Sequence, residues 1–157
     1  MKTSLYWTLI AVMAVSGLSQ AQSRKKDADA ASAKEKLIGA WRLAWMEEPG
    51  PDGKLLHITD RTGMLLYTRD GHMSVQIMFP KSESALSNDY VRNGYEASFG
   101  SYEVNEEAHT VTHHVEGSIT AALVAKDLTR AISFSDGHLI IKSSRPDELW
   151  SVTWEHY

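Results

Sequence analysis

Two polar side chains stand among apolar neighbours at strand spacing in this 157-residue sequence. In the run Leu128 to Phe134 a guanidinium, Arg130, shares alternate positions with Leu128, Ile132 and Phe134. In the run Val111 to Val115 an imidazole, His113, shares them with Val111 and Val115. Successive side chains of a strand point to opposite faces, so both polar groups are expected on an inward, apolar face. A guanidinium there demands a partner, and a ligand carboxylate can meet it through a bidentate fork. Arg130 is therefore the first candidate ligand anchor. The alternative is a place at the rim, or a pairing with an internal carboxylate such as Glu103. His113 is a second candidate contact, against the alternative of a hydrogen-bonded core histidine. In a catalytic version Arg130 holds an anion or polarises a carbonyl while His113 or Tyr102 moves a proton, as an isomerase, cyclase or hydrolase requires.

Other constellations are weaker. His113-His114 with Glu116 resembles a metal cluster in composition, but adjacent strand residues face opposite ways. Only His114 and Glu116 then share a side, and zinc wants at least three protein donors, so no metal is expected. Tyr67, Met73, Val75, Ile77, Tyr102 and Trp150 form an aromatic and Met-rich set suited to lining a cavity, or equally to filling a core. There is no nucleophile elbow, Gly-rich phosphate loop or HExxH run, and no cofactor is expected. The chain has no Cys, which excludes thiol catalysis and any disulfide. With 16 Lys and Arg against 20 Asp and Glu, its net charge of -4 makes nucleic acid a poor partner.

The elements that must position these residues read as strands. From Leu37 onward, short β-branched and aromatic runs alternate with turn residues. LIGAWRLAWMEE alternates Trp41, Leu43 and Trp45 against Arg42 and Ala44, and stops at Pro49-Gly50-Pro51-Asp52-Gly53. GMLLYT and HMSVQIMF flank Asp70-Gly71, FGSYEV and HTVTHHVEGS flank Asn105 to Ala108, and LTRAISF and HLIIKSS flank Asp136-Gly137. Asp-Gly supplies the positive backbone angles of a tight hairpin. With LLHIT before Gly63 and LWSVTWE at the end, about eight antiparallel strands are expected. Ser84 to Ser98 is expected to be a short helix carrying Tyr90 and Tyr95, which with Phe99 would cover a cavity mouth. Ile119 to Lys126 fits a strand or a helical turn. Sequential hairpins without a long crossover favour an up-and-down barrel over a sandwich.

The N-terminal stretch differs in kind. Lys2, an uncharged apolar run from Leu5 to Leu18, and Ser19-Gln20-Ala21 have the layout of a secretory signal peptide over residues 1–21, cleaved after Ala21. That run is shorter than the roughly 20 mostly apolar residues of a membrane helix, and no span is expected after cleavage. Residues 22–36 are small and charged and read as a flexible leader. Residues 37–157 are enough for one core, so one domain of an exported protein is expected, periplasmic or secreted.

LIGAWRL, GMLLYTRDGHMSVQIMFP, FGSYEVNEEAHTVTHHVEGS and LTRAISFSDGHLIIKSS together resemble the lipocalin-like domain family, over essentially Leu37 to Glu155. Gly39-Ala40-Trp41 resembles the Gly-x-Trp signature of the first strand, in which Gly39 would permit close approach and Trp41 would plug the closed end of the barrel. The chain departs from the wider lipocalins in lacking a disulfide and an Arg on the final strand to stack on that Trp. The resemblance implies a cup-shaped barrel that binds a small hydrophobic or amphipathic molecule. Related barrels include a few enzymes, and a filled barrel serving as an interaction module is the third reading.

Overall fold

The computed structural model describes residues 32–157. The expected signal peptide and leader residues 22–31 lie outside the described residues. A five-residue helix, α1 (Ala33–Leu37), precedes nine strands: β1 (Gly39–Pro49), β2 (Leu55–Ile58), β3 (Thr62–Tyr67), β4 (His72–Met78), β5 (Tyr95–Asn105), β6 (Thr110–Ser118), β7 (Asp127–Ser135), β8 (His138–Ser143) and β9 (Ser151–His156). The last residues of the stretch read as leader, Ala33 to Lys36, are thus helical.

All ladders are antiparallel. The strands follow chain order around the sheet, and β9 pairs back onto β1, so β1 and β3 to β9 close an eight-stranded barrel. The ninth, β2, pairs only with β1. Along one edge β1 pairs first with β3, from Gly39 to Arg42, and then with β2, from Met46 to Pro49. Closure satisfies strand edges that an open meander would leave exposed.

The hairpins form where Asp-Gly predicts them, by two routes. At Asp136-Gly137 both residues have positive φ, 51° and 81°, whereas at Asp70-Gly71 only Gly71 does, at 92°. Alternation sorts the faces as expected on β4, where Met73, Val75 and Ile77 are buried, and on β6, where Val111, His113 and Val115 are. It fails on β1. A bulge between Leu43 and Trp45 shifts the register against β9, so Met46 joins Trp41 and Leu43 in the core while Trp45 turns outward. There its ring lies 5.4 Å from that of His57 and 5.1 Å from that of His138.

The helix expected over Ser84 to Ser98 is absent. Lys81–Glu83 form one 3-10 turn, the next residues run through turns, and β5 begins at Tyr95. The Asn88 carboxamide oxygen accepts from the backbone N–H groups of Tyr90 and Val91, both at 2.8 Å, and Asn93 and Gly94 have positive φ. These local bonds compete with a helix, and the ladder Met78↔Tyr95 to Val75↔Ser98 claims the rest for the sheet. Ile119 to Lys126 holds a single 3-10 turn at Ala121–Leu123. No helix among the described residues is long and apolar enough to cross a membrane.

Candidate functional site

The two ends of the barrel differ. At one, α1 is clamped by neighbouring hairpin turns. The Glu106 carboxylate accepts from the backbone N–H of Ala33 and Lys34 at 2.9 and 3.0 Å, the Ser32 hydroxyl caps Glu35 N–H, and Arg69 pairs with Glu35 at 3.1 Å. These backbone bonds hold the Glu106 carboxyl below its usual range, Lys34 foremost. Leu37 is fully buried, and its carbonyl accepts from the Trp41 indole N–H at 2.8 Å.

Trp41 is buried in the core, and the ring that packs against it, tilted by 48°, belongs to His156 of β9, 4.0 Å away between centroids. His156 stands where the sequence offered no Arg. Gly39 makes room for it: a Cβ there would come within 2.4 Å of the His156 ring, and its φ of 139° disfavours any other residue. This end is closed.

Above it lies the buried core of the barrel. Tyr67, Met73, Val75, Ile77 and Tyr102 all belong to one core cluster. The Tyr67 hydroxyl and His113 Nε2 lie 2.7 Å apart, the Tyr67 and Tyr102 rings meet edge to face at 4.8 Å, and the Tyr102 hydroxyl donates to the Thr68 carbonyl. Burial, helped by the charge of Arg130, pushes His113 down to about 3, and burial pushes Tyr67 up, so both are neutral near pH 7.

At the opposite end a cavity of about 360 Å³ opens between β1, β5, β7, β9 and the segment linking β4 to β5. Phe79, Leu86, Val91, Val152, Tyr90 and Trp150 supply its apolar walls. Arg130 reaches it because Arg130 pairs with Val111, and shares that residue's inward face. Its guanidinium carbon lies 5.2 Å from the Tyr90 ring centroid and 5.1 Å from that of Trp150. Nη1 donates to the Thr129 carbonyl at 3.1 Å, and Arg130 has no ion pair among the described residues. Flanking aromatic rings thus stabilise the charge while leaving donors free.

One family model, for the lipocalin-like domain, matches residues 38–156. The chain belongs to the lipocalin-like domain family. No curated protein matches the sequence.

In this lipocalin-like barrel, Arg130 and Trp150 border the cavity among the residues singled out from the sequence, whereas Tyr67, Met73, Val75, Ile77, Tyr102 and His113 lie in the core. The internal carboxylate that faces Arg130 is Glu96, and Glu103 is exposed on the outer face, 3.9 Å from His114. His114 also points outward, bonded to Asp127 at 2.7 Å, which raises its pKa. Tyr90 reaches the mouth, but Tyr95 and Phe99 are exposed.

Two cavity-end residues escaped the sequence reading. Glu96 pairs with Ile77 and shares its inward face; burial raises its carboxyl to about 7, against the charge of Arg130. The signal was present in the parity of Glu96, Ser98, Gly100 and Tyr102, hidden by assigning a helix across it. Arg61, just before β3, is buried and staples the mouth. It pairs with Glu48 of β1 at 2.5 Å and with Glu83 at 3.2 Å, and stacks on Phe79 at 4.1 Å. Nothing in the local sequence marks it, since the residues it joins are up to 22 positions away.

Proposed function

We propose that this protein binds a small amphipathic molecule at the open end of the barrel, its apolar body against Phe79, Leu86 and Val91 and its polar head on Arg130. The observation that carries this reading is the Arg130 guanidinium, held between Tyr90 and Trp150 in a largely apolar cavity with donors left to offer. A cavity of this size suits one small ligand. Displacement of a fluorescent fatty-acid probe tests it. Arg130→Ala is expected to weaken binding about tenfold or more, the worth of a lost charge-assisted hydrogen bond; unchanged displacement would sink the anchor role.

The catalytic version, with His113 or Tyr102 moving a proton beside Arg130, finds less support. Both polar ends are occupied by protein partners, and neither residue borders the cavity. Export is proposed on the apolar run from Leu5 to Leu18 and the small residues that follow it. N-terminal sequencing of the protein from its own host is expected to begin at Gln22, and an intact Met1 would refute cleavage.

A further inference from the structure

Glu96 is a carboxyl in a largely apolar cavity that also holds Glu48, Asn88 and Arg130, and it has no hydrogen bond and no ion pair among the described residues. Only part of the charge around it is committed. From the β2–β3 link, Arg61 is shared between Glu48 of β1 and Glu83 of the 3-10 turn. From β7, Arg130 sits between two rings, donates once to a carbonyl and keeps its other donors, with no carboxylate bonded to it among the described residues. From the β4–β5 segment, the Tyr90 hydroxyl turns toward Glu148, which is itself bonded to Ser143 and Arg145. On β6, His113 is neutral and tied to Tyr67. Of the three carboxyls, Glu48 and Glu83 share Arg61, and Glu96 is left with no ion pair among the described residues, beside an Arg130 that has none either.

We infer that Glu96 is the second polar anchor of this cavity and that it selects an anionic head: the ligand's carboxylate binds together with one proton, which resides on Glu96 and is donated in a hydrogen bond to the ligand while Arg130 faces the remaining charge. This rests on the amphiphile-binding reading above. An ionised Glu96 would set two anions against a single cation in an apolar setting, whereas a protonated one turns the repulsion into a short O–H···O⁻ bond. The proton comes from solvent. It is readily taken up, because burial already lifts the Glu96 carboxyl to about 7. A ligand anion beside it raises that affinity for the proton further.

The test uses decanoate and decanol, an anionic and a neutral head on the same body, titrated calorimetrically into the protein from pH 6 to pH 9. Decanoate is ionised throughout this range. Its apparent affinity is expected to weaken above pH 7 by up to about tenfold per pH unit, while that of decanol stays level. Titrations at pH 8 in two buffers of different ionisation heat are expected to show close to one proton taken up with decanoate and none with decanol. Glu96→Gln, which keeps the shape and removes the charge, should make decanoate binding independent of pH and tighter than wild type at pH 9. Decanoate binding that ignores pH in the wild type, or that Glu96→Gln weakens throughout, would overturn the role of Glu96 alone. If neither probe binds at any pH, the amphiphile-binding reading falls with it.

Discussion

His113 is buried and held down to about 3, whereas an unfolded chain protonates it near 6.5; as pH falls between those values the unfolded state takes up a proton that the native state refuses. Stability from this group is complete above pH 6.5 and is lost toward pH 3, by about 1.4 kcal/mol per pH unit. Glu96 acts with the opposite sign. Its folded value near 7 stands above the unfolded 4.5, so its contribution is complete below pH 4.5 and is lost as pH rises through 7. The two slopes oppose each other between pH 4.5 and 6.5. Glu96→Gln is therefore expected to expose the His113 slope in that window, as a steeper fall in urea-unfolding free energy with acid than the wild type shows. Identical profiles for the two proteins would contradict this. Arg61 belongs to the same scale. Its guanidinium is nearly inaccessible while both its carboxylate partners are about one-third exposed. Arg61→Ala should lower stability by about 3 kcal/mol in urea unfolding, the lower end for a broken buried pair. Glu83→Gln should change it far less, because water screens that partner.

A helix of five residues has no stability of its own, so α1 exists only because other elements hold it. Glu106 supplies acceptors for two N-terminal N–H groups, and Leu37 seals the closed end. Glu106→Ala is expected to speed hydrogen exchange at the α1 amides while the strand amides keep their protection. An equal acceleration everywhere would mean that the clamp is not local. The start of β1 is constrained more tightly still. Gly39→Ala would drive a methyl into the His156 ring, and a loss of about 1–3 kcal/mol with altered Trp fluorescence is expected.

At the scale of the molecule, a cavity opens at one end of the barrel, and a ligand bound there would stabilise only the folded state. Decanoate at 100 times its dissociation constant should add about 2.7 kcal/mol, seen as a rise of several degrees in the thermal midpoint. At that concentration Arg130→Ala should show about half that rise or less. The hairpins and the inward faces of β4, β6 and β7 were legible in the residues alone, because period-two alternation and Asp-Gly turns are local signals that the sheet merely collects. Arg130 could be placed inside from its neighbours for the same reason. Trp45 could not be placed outside, since a single bulged residue reverses every side chain after it and is set by pairing with β9, more than a hundred positions away. Nor could Glu96 be found, because whether Ser84 to Ser98 coils or extends depends on β4 offering it a ladder. Local alternation determined the walls of this barrel; only closure, which brings β1, β5, β7 and β9 around one cavity, decided which polar groups meet inside them.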